Sequence, residues 1–445
     1  MTTSATFVDL RTNNAEQFKE SVSEPSPNTK IYLTFGKADS WANDASPNVA
    51  NSSVATVYEI WSNMIGGKKI FGSDLSHMIP RFDWSSNTTY TAYDHMNTNL
   101  YDGNTKFYVM NSDYSVYKCI ANANGAVSTV EPTSVNPNIT TSTSDGYIWK
   151  YMYTLSDAEK TRFLSDGYIP VKTLSTNDGS LQYQVQQNAK KGAIDHIEVT
   201  NGGSNYTNIS NITITITGDG SSATAIPVLN TSTNTISSIT ITNPGTLYTY
   251  ANVSITDTGS GSGTGATARA IISPIGGHGS DPLYELGGKN IMISVRIRYD
   301  ENGILPVTND IRQITILKDP LIRSTSNVIS NTVFLQAKTL TMAGTGDYTQ
   351  DEIVYQGASL STATFKGRVV SWNSSTNKLI LINTEGTALA SQSVIGTSSF
   401  TVRTLSGIIE ETLEKYTGRV LYVDNIKPVT RSSDQIEEYK ILVKF

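Results

Sequence analysis

Cysteine, histidine and charged residues are scarce in this sequence, and each scarcity argues against a class of site. The 445 residues include one cysteine, four histidines and only 16% charged residues. The lone Cys119 cannot form an intramolecular disulfide, which fits assembly in a reducing compartment, and it is expected to be a small buried residue. The histidines have no second ligand at a metal-site spacing, so no metal-binding residue is predicted. His278, within the glycine-rich GGHGS, is expected to be a solvated loop residue.

Basic clusters and long apolar runs are also missing. The net charge is −6, and no run of five or more basic residues supplies a footprint for phosphates, so nucleic acid is not an expected partner. No stretch of 18 apolar residues is present, and the N-terminus MTTSATFVDLRTNN lacks the features of a signal peptide, so no membrane is expected. Without secretion, the N-x-[ST] sequons reflect composition and not glycosylation. Examples begin at Asn205, Asn208, Asn211 and Asn252.

Catalytic signatures are not found either. The chain has no nucleophile elbow, phosphate loop or dinucleotide fingerprint. The acidic neighbours Asp351 and Glu352, like Glu437 and Glu438, stand in strand-like contexts, so the members of each pair would point to opposite faces and could not act on one bond. The sequence therefore predicts no catalytic residue, no cofactor and no enzyme.

What is abundant is the composition of a mainly β protein. Thr, Ser, Asn, Gly and Tyr suit short strands and tight turns, and the length suggests two to four domains. Capping-box spacings predict a few short helices, starting at Asn13, Thr56 and Ser156, the second of them stopped by Gly66 and Gly67. Strands are predicted from their alternation and β-branched content at IYLTF (31), VYKCIA (116), YIWKYMY (147), IMISVRIR (291), RQITIL (312), GRVLYV (418) and YKILVKF (439).

The segment 191–276 repeats itself with an offset of about 42 residues. Period-2 alternation of Ile or Val with Thr or Ser predicts a duplicated β unit, either a small sandwich or two stacked hairpin modules. Asn201-Gly202-Gly203 and Asn243-Pro244-Gly245 are predicted to be hairpin turns, with Tyr206 and Tyr248 packed on the return strands.

The segment 334–405 is predicted to be a small, self-contained β-barrel, with SSTN at 374–377 as a hairpin loop. The remaining sequence is expected to form a multi-domain β-sandwich framework. The predicted organisation is 1–85 N-terminal framework, 86–190 nested β domain, 191–276 duplicated repeat, 277–333 framework strands, 334–405 small barrel and 406–445 C-terminal framework strands.

Aromatic residues are concentrated on the strand YIWKYMY. Period 2 places Tyr147, Trp149, Tyr151 and Tyr153 on one face, opposite Ile148, Lys150 and Met152. Because both faces carry large side chains, the strand is expected to be packed on two sides.

Five segments of the framework, in order, resemble landmarks of a known family. They are IYLTFGKADSWAN at 31, VYEIWSNMIGGKKIFGSDLSHMIPRFDW at 57, DGYIWKYMYTLS at 145, IRQITILKDPL at 311 and GRVLYVDNIKPVTRSSDQIEEYKILVKF at 418. The chain is similar through them to the baseplate wedge family, the eighth gene product, of T-even-type contractile-tailed bacteriophages. The 191–276 and 334–405 segments have no counterpart in that pattern.

The resemblance implies a structural virion protein of the tail baseplate, without enzymatic activity or cofactor, and a mainly β fold in which one domain is nested in another. It implies a homodimer that joins other wedge proteins, is assembled in the host cytoplasm and helps transmit the baseplate change that triggers sheath contraction. Landmarks of fold or interface carried over are Phe35, Gly36, Trp41, Trp61, Pro80, Arg81, Asp83, Trp84, Gly146, Tyr147 and Trp149.

Three of these landmarks have predicted physical roles. Gly36 should turn the chain where a Cβ would clash, and Pro80 should hold Ile79 extended. Arg81 and Asp83 share a face of an extended segment, so they are expected to pair with each other or with a partner subunit.

Two other functions stay open for the repeat segment. The uncharged, tyrosine-bearing 191–276 region could bind carbohydrate, with depolymerisation less favoured, through Tyr206 and Tyr248 as aromatic platforms. Alternatively, it could bind a neighbouring tail protein, such as a fibre or an adjacent wedge.

Overall fold

The computed structural model describes residues 6–25, 29–138, 140–259, 263–307, 309–432 and 434–445. Their α-helices are short and few, as predicted: α1 Val8–Ser23, α2 Val54–Asn63, α3 Asp157–Arg162, α4 Leu181–Gln187 and α5 Pro282–Glu285.

Two of the three predicted helix starts are wrong. Helix α1 already begins at Val8, so Asn13 lies inside it. Helix α2 begins at Val54, three residues after Asn51, and not at Thr56. Its N-cap is Ser53, whose hydroxyl accepts a hydrogen bond from the backbone N–H of Thr56 at 3.2 Å. The third start is confirmed, since Ser156 and Glu159 form a reciprocal capping box at α3.

Strands dominate the structure, which confirms the mainly β fold class. They are β1 Ile31–Gly36, β2 Met64–Ile70, β3 Leu75–Pro80, β4 Tyr108–Met110, β5 Ser115–Asn122, β6 Thr141–Ser142, β7 Tyr147–Thr154, β8 Tyr168–Val171, β9 Ile194–Ser204, β10 Ile212–Gly218, β11 Ser221–Asn230, β12 Thr235–Thr246, β13 Ala251–Asp257, β14 Thr264–Ile272, β15 Asn290–Arg298, β16 Asp310–Lys318, β17 Val333–Leu335, β18 Lys338–Ala343, β19 Ile353–Gln356, β20 Phe365–Asn373, β21 Lys378–Gly386, β22 Ser393–Gly396, β23 Val402–Ile409, β24 Arg419–Thr430 and β25 Ile436–Lys444. All seven strands predicted from the sequence are among them.

The chain divides into two compact units, each assembled from separate stretches of sequence. The first contains the described residues up to Glu16 together with Ser76–Met292 and Leu442–Phe445, and the second contains Gln17–Leu75 and Ile293–Ile441. The finer six-segment division made from the sequence stays a prediction.

In the second unit, a five-stranded sheet has the order β17-β2-β1-β16-β24, with antiparallel neighbours. Gly66 and Gly67 lie inside β2 and do not stop α2, which ends at Asn63. The reason is close packing: a Cβ on Gly67 would lie 2.7 Å from the ring of Phe334. Phe334 belongs to the core of this sheet with Tyr32 and Trp61.

The same unit contains a closed barrel, β18-β21-β20-β19-β22-β23, which confirms the small barrel predicted from the sequence. Strands β20 and β21 form a hairpin closed by the pair Asn373 and Lys378, so the loop predicted at 374–377 is also confirmed. Large apolar side chains, among them Phe365 and Leu381, fill the interior. Asp351 has φ +65° and precedes β19, so the strand context predicted for it is wrong.

In the first unit, β4-β5-β7-β6 form an antiparallel sheet. Strand β7 is buried on two sides, as predicted, but its aromatic residues do not all share a face. Tyr147, Trp149 and Tyr151 pack in one cluster, whereas Tyr153 packs in another together with Met152. A register shift in the pairing of β5 with β7, between Val116 and Tyr117, breaks the alternation.

The duplicated segment forms one six-stranded sheet of the order β10-β13-β14-β9-β12-β11. Its two edge strands, β10 and β11, contact each other, so the sheet curls around a single core, and we call it the repeat barrel. The first copy supplies β9–β11 and the second supplies β12–β14. Neither the sandwich nor the stack of two hairpins expected from the sequence is correct. The copies exchange strands: β9 pairs with β14 and β12 pairs with β11, in matching registers.

The Asn-Gly-Gly and Asn-Pro-Gly stretches are not hairpin turns. They lie inside β9 and β12, directly after a bulge in each of these strands, where Thr200 and Thr242 are the extra residues in the pairing with β14 and β11. Gly203 and Gly245 have φ +66° and +64°, and each backbone N–H is bound by the side chain of the preceding asparagine, at 2.9 Å from Asn201 and 3.1 Å from Asn243. The positive φ was correctly expected, but it occurs inside a strand and not in a hairpin turn.

Candidate functional site

The landmark residues of the second unit are packing residues. A Cβ on Gly36 would overlap the carbonyl oxygen of Asn63, which confirms the close approach expected there. Trp41 donates its indole N–H to the carbonyl of Ile426 at 3.1 Å. Phe35 and Trp61 are buried in the unit's core. These side chains hold strands and helices together.

The landmark residues of the first unit also make contacts within that unit. The guanidinium of Arg81 donates to both carboxylate oxygens of Asp83, at 2.9 and 3.0 Å, so the intramolecular alternative is the one observed. Trp84 donates to the hydroxyl of Ser128 at 3.1 Å. The rings of Tyr147 and Trp149 stack with centroids 5.4 Å apart, directly after Gly146, which has φ +88°.

Pro80 and Ile79 complete this set at the end of β3, where Ile79 pairs with Ile169 and Pro80 with Tyr168 of β8. Ile79 is thus extended, as its position before a proline predicts. None of these contacts forms a reactive constellation, and the role of the landmarks as family interfaces stays a prediction.

A polar cavity of about 300 Å³ lies in the first unit, and no sequence pattern had indicated it. It is bounded by β7, the start of β9, the end of β12, the residues after α4 and the loop before α5. Its lining consists of Asn138, Thr140, Lys150, Asn188, Ala189, Lys190, Asp195, Ile241, Thr242, Pro244 and His278.

Lys150 and His278 are the deep groups of this cavity, each only 4% exposed. The ammonium of Lys150 donates to the carbonyl of Pro137 at 3.2 Å, and burial lowers its pKa. Burial, reinforced by the charges of Lys118 and Lys150, lowers the pKa of His278 well below its usual range, so the imidazole is neutral at pH 7. Its Nδ1 atom is buried and has no hydrogen-bond partner among the described residues.

The solvated loop position predicted for His278 is therefore wrong. Its ring packs edge-on against Tyr93, with centroids 4.8 Å apart. The glycines around it provide close approach and not flexibility: a Cβ on Gly277 would lie 2.5 Å from the carbonyl oxygen of Lys190, and a Cβ on Gly279 would lie 2.5 Å from the side chain of Val185. Glycine next to a histidine is compatible with either situation, so composition alone could not distinguish them.

A buried ion pair lies close to the deep end of the cavity. Nζ of Lys118 lies 2.9 Å from Oε2 of Glu285. The carboxylate of Glu285 also accepts hydrogen bonds from the backbone N–H groups of Gly279 at 2.8 Å and Asp281 at 3.1 Å. The ammonium of Lys118 also lies 4.2 Å from the ring centroid of Tyr93. These contacts neutralise Lys118 and fix the loop that carries His278.

Asp195, at the start of β9, is the acidic group of the cavity. Burial raises the pKa of its carboxyl, against the opposing effect of Lys150 and Lys190. Within the described ranges its carboxylate makes no hydrogen bond and no ion pair. The cavity thus offers donors and acceptors that other side chains have not satisfied.

The described part of the chain contains no group of three or more His, Cys, Asp or Glu side chains that could hold a metal ion. No described helix combines the length and the apolar character needed to cross a membrane. Cys119 is buried, as expected, and burial raises the pKa of its thiol.

Comparison with known proteins gives a partial match. Residues 4–133 match the family described as Bacteriophage T4, Gp8. Over 81 residues the chain is 35% identical to the baseplate wedge protein gp8 of Enterobacteria phage T4. This matched stretch is 17% of the present chain and 24% of the T4 protein, so the chain spans only part of that relative's length. The family match contains the landmark segments that begin at residues 31 and 57, and the other three lie beyond it. The resemblance of this chain to the baseplate wedge family is thus confirmed, and the N-terminal part of the chain carries it.

Proposed function

We propose that this protein is a structural component of a bacteriophage tail baseplate wedge, without enzymatic activity or cofactor. The observation that carries the proposal is the match of residues 4–133 to the family of the wedge protein. That region contains β1, α2 and β2, whose landmarks Phe35, Gly36 and Trp61 are packing residues that would preserve the same local fold. The virion tail is the proposed location, with assembly in the host cytoplasm.

Homodimerisation is the first part of this proposal that can be tested. A dimer with one self-complementary interface typically buries about 2,000 Å² or more when it is obligate. Sedimentation equilibrium of the full chain at micromolar concentration should give a dimer. A strict monomer under these conditions would contradict dimerisation while leaving a role in the wedge open.

The second part is the place in the assembled tail, with contacts to other wedge proteins and a contribution to the change that triggers sheath contraction. Cryo-electron microscopy of the tail of the phage that encodes this chain should find it in the baseplate, in contact with other wedge components. Density for the chain in the fibres alone, or no density in the tail, would overturn the proposal.

The two alternatives for the repeat segment have different support. Tyr206 and Tyr248 are only 2% and 5% exposed and belong to the core of the repeat barrel, so their ring faces are not available as platforms for sugars. Binding of a neighbouring tail protein does not need these rings. The same tail reconstruction would test it, by asking whether another chain covers residues 194–272.

A further inference from the structure

We propose that the polar cavity binds a small hydroxylated organic anion with the size and chemistry of one acidic sugar unit. Lys150 and Lys190 supply ammonium groups for the ligand's carboxylate, and Asp195 and His278 supply acceptors for its hydroxyl groups. All four residues belong to the first unit. This site does not use the buried tyrosines of the repeat barrel and does not require a role in a baseplate.

Positive charge exceeds negative charge around the cavity. Glu285 is already occupied by Lys118 and by two backbone N–H groups, so it is not available to balance Lys150. Lys150 has no carboxylate within 4.0 Å in the described part of the chain, and its one acceptor is the carbonyl of Pro137. Lys190 is exposed at the rim. Two ammonium groups against Asp195 leave one positive charge, which an anionic ligand would balance.

Charge alone does not define the ligand, because the cavity also contains acceptors that need donors. Asp195 makes no hydrogen bond with any described residue, and Nδ1 of His278 is buried and unpaired. A simple anion such as phosphate would face the Asp195 carboxylate with like charge and few donors. The hydroxyl groups of a sugar acid can donate to Asp195 and to Nδ1 of His278, in the tautomer protonated at Nε2, while its carboxylate lies near the lysines.

The dimensions and the remaining lining fit one sugar ring. A volume of about 300 Å³ is near the lower end of ligand pockets and exceeds what a phosphate or an acetate would fill. Asn138 and Asn188, hydrogen-bonded to each other at 2.7 Å, supply further amide donors and acceptors at the rim. Ile241 and Pro244 supply a small apolar surface for the C–H face of a ring.

Isothermal titration calorimetry of the full chain tests the proposal with glucuronate, glucose and inorganic phosphate as probes. Glucuronate should bind at one saturable site. Glucose, which lacks the carboxylate, and phosphate, which lacks the sugar hydroxyl groups, should each bind at least about tenfold more weakly. A glucuronate-terminated oligosaccharide distinguishes two sources of the same ligand. Affinity equal to that of glucuronate identifies a polysaccharide end as an acceptable source, and lost affinity identifies the free sugar acid.

Two variants change the cavity without changing its shape. Asp195→Leu removes both oxygens that accept the ligand's hydroxyl groups at nearly the same side-chain size, and Lys190→Met removes an exposed ammonium that the fold does not need. Each should weaken glucuronate binding about tenfold, and Lys190→Met should leave glucose binding unchanged. Lys106→Met, which removes an exposed lysine of the same unit outside the cavity lining, is the matched control and should leave all three titrations unchanged.

Four results would overturn the proposal. The first is the lack of saturable glucuronate binding up to about 10 mM. The second and third are an affinity for phosphate, or for glucose, equal to that for glucuronate. The fourth is glucuronate binding that survives both cavity substitutions, in variants whose thermal unfolding matches that of the parent chain.

Discussion

The repeat barrel and the closed barrel each use six strands, but they are held together by different features. The closed barrel is filled by large apolar side chains such as Phe365, Leu379 and Leu381, all fully buried. In the repeat barrel, most inward residues are small or only partly buried, and the two large rings, Tyr206 and Tyr248, lie against glycines. One barrel therefore depends on side-chain volume, and the other depends on backbone conformation and close approach at glycines.

The largest effect that this contrast predicts is on the closed barrel. Phe365→Ala should reduce its stability by about 3–5 kcal/mol, because the substitution leaves a cavity in a tightly filled interior. Hydrogen exchange followed by mass spectrometry on peptides of residues 338–409 measures this loss locally. Phe400→Ala, at a ring that is 81% exposed, is the control and should change exchange by less than about 0.5 kcal/mol. Equal losses in the two variants would contradict a volume-dependent barrel.

A somewhat smaller loss is expected when the backbone of the repeat barrel is disturbed. Gly203→Ala should cost about 2–3 kcal/mol, because the position has φ +66° and the new Cβ would lie 2.5 Å from the carbonyl oxygen of Thr264. Exchange in peptides of residues 194–272 reports it. Gly407→Ala in the closed barrel is the matched control: its Cβ would meet Thr341 at an ordinary 3.5 Å, and the expected change is within about 1 kcal/mol.

The two copies of the repeat differ at one strained position, and this difference gives a stabilising prediction. Asn205 and Leu247 are equivalent and have φ +61° and +64°, a conformation that asparagine tolerates and leucine does not. Leu247 is 59% exposed, so little burial offsets the strain. Leu247→Asn should raise the thermal stability of the repeat barrel by about 1 kcal/mol, and Asn205→Leu should lower it by a similar amount. Changes of the same sign in both variants would exclude backbone strain as the cause.

The smallest effect concerns pH and an ion cluster beside the closed barrel. Burial alone would raise the pKa of Glu411, but its own backbone N–H and the nearby ammonium groups of Lys338 and Lys415 lower it to about 2. Because the folded pKa lies below the ordinary value of 4.5, this stabilisation is present above pH 4.5 and is lost as the pH falls towards 2. Protection of residues 338–409, corrected for intrinsic exchange rates, should decrease across that window.

Glu411→Gln should flatten this pH dependence, because the substituted side chain does not titrate. Glu385→Gln, which removes an exposed carboxylate paired with Lys366 at 2.9 Å, serves as the comparison and should retain the decrease. An unchanged pH profile in Glu411→Gln would assign the decrease to other carboxyl groups.

The sequence predicted those features that depend on local periodicity. Alternation identified β1, β5, β7 and β15, and the capping box at Ser156 identified α3. The hairpin at 374–377 and the closed barrel followed from regular strand spacing. The duplication at 191–276 was visible because similar residues recur at a constant offset.

What the sequence did not predict depends on contacts between distant residues. Asn201-Gly202-Gly203 suits a hairpin turn or a bulge, and only the partner strand β14 distinguishes them. The polar cavity brings together residues between 138 and 278, from six separate stretches of sequence, so no local pattern indicates it. His278 was misassigned for the same reason, since its ring packs against Tyr93 and the neighbouring Gly279 packs against Val185, both remote in sequence.

The exchange of strands between the two repeats makes each copy depend on the other. Strand β9 needs β14, and β11 needs β12, so one copy alone leaves both of these strands without their partners. The duplication places both sets of partners in one chain, so a fragment that ends before β12 could complete these pairings only with strands from a second molecule.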